Sequence, residues 1–194
     1  ADTIGAMDEI RRAGKVRFVG VSNFSLEQMQ QAVATARIDT CQPPFNVFWR
    51  EIDDTVLPFC RQHGIAVLPY SPLAQGILAG RFRSRADVPN DIRSHSKLMA
   101  EGIFEQCLEV VKMMEEIAAA HGKTLSQTAI AWTLQVPGIT APIVGARNPR
   151  QLEENLGGVG WRLTDEEFHR ISEAGLAISR QLDFSSNMCG WKPS

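Results

Sequence analysis

An apolar run at residues 65–69, with the sequence IAVLP, constrains the fold of this chain more than any other feature. A short, uninterrupted apolar segment is typical of a strand that is buried on both faces, as in a parallel sheet. Tyr70, the only tyrosine of the chain, follows the run directly, and Ser71 and Gly76 come next. Because α/β folds place their sites at the carboxyl ends of strands, we expect a binding site at this strand end.

The same order of strand, polar tip and helix recurs along the chain. The four predicted strands are residues 16–21, 39–42, 65–69 and 140–144. The predicted helices span about 3–13, 25–36, 53–63, 104–120, 126–135 and 164–177, and another begins at Pro149. The expected caps are Ser25 with Gln28, Asp53 or Asp54, Asn148, and Thr164 with Glu167. On helix 104–120 the side chains expected to face the core are Val110, Val111, Met114, Ile117 and Ala118. Strands that alternate with helices at this spacing are parallel and are joined by right-handed crossovers. The pattern therefore predicts an α/β fold of four parallel βα units with flanking helices.

The composition excludes several classes of protein. With 194 residues, 44% of them hydrophobic, the chain is one domain or a large piece of one. Twenty basic residues stand against 22 acidic ones, and no apolar run approaches the length of a membrane span, so we expect neither a nucleic-acid nor a membrane partner. Four cysteines lie scattered without a CxxC pair, which favours reduced thiols in a cytoplasmic protein and no metal site.

Two segments depart from this order. Residues 81–97 contain five basic residues, two aspartates and a proline without an apolar period, which predicts a long, basic, mobile loop. Residues 179–194 form a tail, with Phe184, Met188 and Trp191, that has no period either.

Polar or small residues follow all four predicted strands. Ser22 and Asn23 end the first strand, Gln42 the second, Tyr70 and Ser71 the third, and Gly145 with Arg147 the fourth. Each tip alone has a structural explanation: a helix cap, a buried tyrosine or a solvated arginine. Because parallel strands bring their carboxyl ends to one edge, four such tips together favour a site over coincidence.

The residue types at these tips indicate what is bound. Serine, asparagine and glutamine match a carboxamide, and the ring of Tyr70 offers a stacking face. Backbone amides at residues 71–76 and at the helix that follows Gly145 suit phosphate, as does the guanidinium of Arg147. The glycine patterns GxGxxG and GxxxxGK[ST] are absent. The tips therefore predict a nicotinamide dinucleotide, NADP(H), held in neither the Rossmann nor the P-loop manner.

Four runs in this sequence resemble the aldo-keto reductases. They are GKVRFVGVSNFS, CQPPFNVFWR, VLPYSPLAQGILAGRF and PIVGARNPRQLEENL, and they span nearly the whole chain. The resemblance implies a (β/α)8 TIM-barrel type fold and NADPH-dependent reduction of a small carbonyl compound, an aldehyde or a ketone.

The resemblance also assigns twelve residues to the cofactor. Those implied for the nicotinamide end are Ser22, Asn23 and Gln42 for the carboxamide and Tyr70 for the ring. Those implied for the pyrophosphate are Ser71, Leu73, Gln75 and Gly76. Those implied for the adenosine end and its 2′-phosphate are Gly145, Arg147, Gln151 and Asn155. Four arginines of the basic loop are expected to help Arg147 favour NADPH over NADH: Arg81, Arg83, Arg85 and Arg93. Phe24, Phe48 and Trp49 are explained equally well as a substrate pocket or as core.

The family's first four strands, with its Asp, Tyr, Lys and His tetrad, have no counterpart here, and a complete barrel needs about 250 residues. We therefore expect residues 1–194 to be one partial domain, the second half of a barrel, with no catalytic residue of its own. Its partner is then the missing amino-terminal half, or failing that another copy. Two alternatives stay open: a non-catalytic nucleotide-binding regulatory module, and a half-barrel scaffold.

Overall fold

The computed structural model describes residues 2–185 and residue 188. In this part of the chain, helices and short strands alternate. They are α1 (Asp2–Arg12), β1 (Gly20–Ser22), α2 (Leu26–Thr35), β2 (Thr40–Gln42), α3 (Val56–His63), β3 (Ala66–Val67), α4 (Ile103–Ala120), α5 (Leu125–Gln135), α6 (Pro149–Leu156) and α7 (Asp165–Ser179). Short 3₁₀ helices occupy Ala74–Ala79, Arg85–Asp87, Ile92–His95 and Lys97–Met99. The α/β class is confirmed.

The three strands form one parallel sheet in the order β1-β2-β3. Val21, Cys41 and Val67 share one register row and are buried on the face that the helices cover. On the opposite face Ser22 is exposed and Gln42 half-buried. The expectation that residues 65–69 are buried on both faces is therefore wrong, because helices cover only one side of the sheet.

The fourth predicted strand, at residues 140–144, does not form a ladder. It makes isolated parallel bridges, Ile139 with Val67 and Ile143 with Tyr70. The N–H groups of Thr140 and Ala141 both point to the carbonyl of Val67, at 2.9 and 3.4 Å, and Pro142, which comes next, has no N–H to donate. The segment 139–144 thus lies parallel to β3, as expected, but three strands and this segment replace the four regular βα units.

The first strand is shorter than the predicted 16–21. β1 begins at Gly20, and the N–H of Val19 donates to the carboxylate of Asp39, at 2.9 Å. Phe18 is exposed. Among the described residues β1 is an edge strand of the sheet: it pairs with β2 on one side and with no strand on the other.

Helix ends follow the predicted caps in most places. Ser25 and Gln28 form a reciprocal capping box at α2, and Thr164 and Glu167 form another at α7. Asn148 caps α6, where its Oδ1 accepts from the N–H of the third helical residue. These local signals were sufficient because each cap needs only residues within one turn.

The predicted cap of α3 is wrong. Neither Asp53 nor Asp54 caps it; the residue at this position is Thr55, whose side chain makes no capping bond. Asp53 instead pairs with the buried guanidinium of Arg50, at 2.5 Å. An ion pair with a residue three positions earlier in the chain takes the place of the capping hydrogen bond.

The core lies between the covered sheet face and the helices. The inward stripe predicted for α4 is buried as expected: Val110, Val111, Met114, Ile117 and Ala118. Phe48 and Trp49 are fully buried, which places both in the core, whereas Phe24 is half-buried and lines a cavity. No helix in residues 2–185 is both long enough and apolar enough to cross a membrane. The described side chains also contain no cluster of metal ligands.

The basic loop at residues 81–97 folds as a series of 3₁₀ turns. Arg83 and Arg85 pair with Glu115 and Glu105 on α4, at 2.7 and 2.8 Å, and so fasten the loop to that helix. In the tail, Phe184 packs edge-on against Trp49, with 4.9 Å between the ring centroids. Trp191, which belongs to the same predicted tail, lies outside the described residues.

Candidate functional site

The first three strand tips meet and are joined by hydrogen bonds. The hydroxyl of Ser22 donates to the carbonyl of Gln42, at 2.8 Å, and the N–H of Asn23 donates to the same carbonyl, at 3.3 Å. The hydroxyl of Tyr70 donates to Oδ1 of Asn23, at 2.8 Å. The four residues predicted for the nicotinamide end thus form one cluster at the carboxyl edge of the sheet.

Asn23 has a left-handed backbone, with φ of 59°. Asparagine tolerates this conformation better than most residues because its short amide can hydrogen-bond locally. The conformation turns the chain out of β1 and into the cap of α2, and the side chain of Asn23 meets Tyr70 at this turn. Backbone and side chain therefore act together to form the cluster.

A cradle of unusual backbone follows β3, at residues 71–76. Four of its six residues have a positive φ: Ser71 (57°), Ala74 (46°), Gln75 (57°) and Gly76 (112°). Left-handed conformations cost about 1–2 kcal/mol each for residues other than glycine, so a run of them must be held in place by its surroundings. Left-handed residues next to right-handed ones turn successive N–H groups into a concave surface that binds anions.

This cradle forms one wall of a cavity of about 580 Å³. The opposite wall comes from the chain between Ile143 and Gln151. Of the residues predicted for the pyrophosphate and the adenosine end, those that line it are Ser71, Leu73, Gln75, Gly76, Gly145, Arg147 and Gln151. Asn155 lines a smaller adjoining cavity, which Leu73, Gly145 and Gln151 share.

The start of α6 is organised by amide side chains. Oδ1 of Asn148 accepts from the N–H of Gln151, at 2.9 Å, and Oε1 of Gln151 accepts from the N–H of Arg147, at 2.7 Å. The amide of Asn155 donates to the carbonyl of Gly145, at 3.3 Å. The loop that carries Arg147 is thereby tied to the helix that follows it.

The larger cavity carries a net positive charge. Arg81, Arg93 and Arg147 line it together with one carboxylate, Asp91. Arg93 pairs with Asp91 at 2.6 Å. Hydrogen bonds from Arg93, and the charges of Arg93 and Arg147, lower the pKa of Asp91 to about 2, so this carboxylate is ionised at neutral pH.

The four arginines of the basic loop that are expected to assist Arg147 differ in position. Arg81 and Arg93 line the cavity. Arg83 and Arg85 do not, because the glutamates on α4 hold their guanidinium groups. A charge count of the loop could not separate the two pairs.

Two further residues at the site were missed from the sequence. Asp91 becomes part of the cavity lining through the folding of the basic loop, and the sequence carries no local signal for that folding. Asn46 is fully buried, and its amide donates to the carbonyl of Ser71, at 3.0 Å. An asparagine inside the apolar run FNVFW was a usable signal, because buried amides need partners.

The sequence profile of the aldo/keto reductase family matches residues 1–175. The chain belongs to this family. The aldo-keto reductase YhdN of Bacillus subtilis (strain 168) is 36% identical over 168 residues, which are 86% of this chain and 51% of that protein. An NADH-specific methylglyoxal reductase of Escherichia coli (strain K12) is 28% identical over 183 residues, covering 93% of this chain and 55% of the relative.

A solved structure agrees with this assignment. The glycerol dehydrogenase AKR11B4 from Gluconobacter oxydans superimposes with a TM-score of 0.84 at 32% identity, over 93% of this chain and 55% of the other. The chain thus spans about half the length of the curated relatives it matches. The resemblance to aldo-keto reductases and the TIM-barrel type of the fold are confirmed. The cofactor contacts of the twelve residues stay a prediction.

Proposed function

We propose that this chain is the cofactor-binding half of an NADPH-dependent aldo-keto reductase that reduces aldehydes or ketones to alcohols. The observation that carries the proposal is the adjacency of two surfaces. The cluster of Ser22, Asn23, Gln42 and Tyr70 ends where the cradle at residues 71–76 begins. A dinucleotide requires the two surfaces to be adjacent, because its carboxamide, ring and phosphates are joined covalently.

The cluster suits a nicotinamide. Hydroxyl and amide groups at Ser22, Asn23 and Gln42 offer both donors and acceptors to a carboxamide. Tyr70 offers the face of its ring for stacking. When bound, the cofactor supplies the hydride that reaches a carbonyl carbon, and the role of these four residues is to bind and orient the ring.

The cavity suits the phosphates. In this proposal the pyrophosphate takes N–H groups of the cradle other than those of Ala74 and Gly76, which donate to the carbonyls of Ser71 and Leu73. Arg147 faces the cavity from the opposite wall. A planar guanidinium matches a phosphate with two parallel hydrogen bonds, which favours the 2′-phosphate of NADPH over the hydroxyl of NADH. One relative is NADH-specific by name, so family membership alone does not decide this preference.

The open face of the sheet supports the assignment to half of a barrel. Ser22 and Gln42 lie on a face that no helix covers among the described residues, and Phe18 is exposed beside the outer edge of β1. Helix α6 also has no buried residue. We propose that a second half of the protein covers these surfaces and supplies the acid that protonates the carbonyl oxygen.

Cofactor binding tests the proposal directly. In calorimetric titrations of the purified chain, NADPH should bind more tightly than NADH. Arg147→Ala should raise the dissociation constant of NADPH tenfold or more, from the loss of about 1.5–3 kcal/mol, and leave that of NADH within about twofold. Arg150→Ala is the matched control, because Arg150 is exposed on α6 and outside the cavity lining.

Two results would refute parts of this proposal. Equal losses of NADPH and NADH affinity in Arg147→Ala would remove Arg147 from 2′-phosphate recognition. Failure of the wild-type chain, with and without a co-expressed amino-terminal half from a relative, to bind either cofactor would refute the cofactor-binding function itself.

A further inference from the structure

The side chain of Asn46 lies fully buried between the loop after β2 and the cradle after β3. Its Oδ1 accepts from the N–H groups of Phe48 and Trp49, at 2.9 and 3.0 Å. Its Nδ2 donates to the carbonyl of Ser71, at 3.0 Å. These partners fix the orientation of the amide, because only the oxygen can serve two N–H donors and only the nitrogen can serve a carbonyl.

The bond to Ser71 acts at the first left-handed residue of the cradle. The same Ser71 carbonyl also accepts from the N–H of Ala74, at 3.0 Å, and closes the turn that leads into Ala74, Gln75 and Gly76. All four residues have a positive φ. Asn46 therefore fixes the direction of the Ser71 carbonyl. The left-handed residues Ala74, Gln75 and Gly76 follow from this peptide.

The contact is the side-chain part of a wider connection between the two loops. The N–H of Phe45 donates to the carbonyl of Tyr70, at 3.2 Å, and the N–H of Tyr70 donates to the carbonyl of Pro43, at 3.0 Å. This backbone pairing stops at Tyr70. Beyond it, Asn46 continues the connection into the cradle.

We propose that Asn46 is a positioning residue for cofactor binding: through the Ser71 carbonyl it holds residues 71–76 in the conformation that receives the pyrophosphate. This inference rests on the proposed function. Asn46 does not line the cavity, so we expect its effect on binding to be confined to the phosphates that the cradle holds.

Two substitutions separate this role from local folding. Asn46→Ser retains a hydroxyl that can accept from the N–H groups two and three residues on, as serine does in turns, but is too short to reach Ser71. Asn46→Asp keeps the length and the acceptor and loses the donor, which sets a carboxylate against the Ser71 carbonyl. Asn90→Ser, at an exposed asparagine of the basic loop, is the control.

The experiment uses two nucleotides and one measurement without nucleotide. NADPH needs both the cradle and the Arg147 end, whereas adenosine 2′-monophosphate needs the Arg147 end only. In Asn46→Ser we expect the dissociation constant of NADPH to rise at least tenfold and that of adenosine 2′-monophosphate to stay within twofold. Asn46→Asp should show a larger loss with the same selectivity.

Hydrogen exchange in the nucleotide-free chain reports on the cradle by itself. The amide of Ala74, which is bonded to the Ser71 carbonyl, should exchange at least tenfold faster in Asn46→Ser, while the amide of Cys41 in β2 keeps its wild-type rate. If Asp at position 46 prevents folding, Asn46→Ser and this measurement still decide the question.

The outcomes are distinct. Unchanged exchange at Ala74, or equal losses for both nucleotides, would overturn the positioning role and leave Asn46 a structural residue. A wild-type chain that binds neither nucleotide would refute the proposed function, whereas the exchange rate of Ala74 would still show whether Asn46 holds this backbone.

Discussion

The hydroxyl of Tyr70 and the side-chain carbonyl of Asn23 are joined by a hydrogen bond of 2.8 Å, although the two residues lie 47 positions apart. The bond spans the carboxyl edge of the sheet, from the end of β1, past β2, to the end of β3. It fixes the amide of Asn23 relative to the ring of Tyr70. In the proposed site, these groups meet the carboxamide and the ring of one nicotinamide.

Substitution of Tyr70 tests this relationship. The sequence alone predicts that only the ring face matters, so that Tyr70→Phe is nearly silent. Because Tyr70→Phe also releases Asn23, we now expect the NADPH dissociation constant to rise about threefold to tenfold, as for the loss of one hydrogen bond. Tyr70→Ala removes the stacking face as well and should weaken binding by a further tenfold or more, measured by calorimetry.

A double-mutant cycle with Asn23→Ala supplies the control. If the hydrogen bond positions Asn23, the losses in Tyr70→Phe and Asn23→Ala should be less than additive in the double variant. Strictly additive losses would show that the two residues act independently on the cofactor.

The strand tips were predictable from the sequence because their signals are local. An apolar run that ends in a polar or small residue locates a tip, and the parallel order places the tips at one edge. The sequence could not give the hydrogen bond between Tyr70 and Asn23, which depends on the left-handed backbone at Asn23. It also missed the irregular pairing of residues 139–144, which depends on the register against Val67.

Asp91 provides a test of the electrostatics in the cavity. Because its pKa is lowered to about 2, the carboxylate is charged at neutral pH and offsets part of the positive charge of Arg93 and Arg147. Asp91→Asn should lower the NADPH dissociation constant about twofold to fivefold at low salt, and the gain should shrink at high salt because of screening. Fluorescence titrations at two salt concentrations measure this.

Asp87→Asn is the matched control for that experiment. Asp87 lies in the same loop and also has a lowered pKa, from hydrogen bonds of the N–H groups of Arg83 and Ser84, but it does not line the cavity. A gain in Asp87→Asn equal to that in Asp91→Asn would attribute the effect to overall net charge and not to the cavity.

The basic loop shows the limit of composition as a guide. Its charge predicted an anion-binding role, and two of its arginines do line the cavity. The other two pair with glutamates that lie 20 and 32 positions later in the chain. Such pairs are decided by tertiary packing, which one sequence does not reveal.

Glu167 gives a prediction about stability and pH. Burial acts to raise its pKa, but hydrogen bonds from Thr164 and the contact with His121, at 2.8 Å, outweigh it, so the pKa is lowered. A lowered pKa in the folded state stabilises the fold above the unfolded-state pKa, and this contribution disappears as the pH falls through the folded-state pKa. Glu167→Gln keeps a capping-box acceptor and removes the charge.

Thermal unfolding measures the effect. At neutral pH, Glu167→Gln should lower the melting temperature by about 1–3 °C, and in acid, below the folded-state pKa, the two proteins should unfold at the same temperature. A deficit that persists in acid would assign the loss to packing instead of charge.

Two groups of exposed apolar side chains, one on and after α6 and one at the β1 edge, are the basis of the last prediction. On and after α6, Leu152, Leu156 and Val159 are 52%, 59% and 57% exposed, and at the β1 edge Phe18 is 63% exposed. Apolar stripes of this kind, beside an unpaired strand edge, promote association. We therefore expect the chain alone to form concentration-dependent oligomers in size-exclusion chromatography with light scattering, and to oxidise no NADPH with a panel of aldehydes.

Charge placed in the stripe should reverse the association, because it makes burial of that surface unfavourable. Leu152→Lys with Leu156→Lys should shift the chain towards monomer. Glu153→Gln with Glu154→Gln, on the same helix, changes the net charge equally and leaves the stripe intact, so it should still associate. A wild-type chain that is monomeric at every concentration and reduces an aldehyde would contradict the assignment to half of a barrel, since its exposed surfaces would then need no partner and its site no acid from outside these 194 residues.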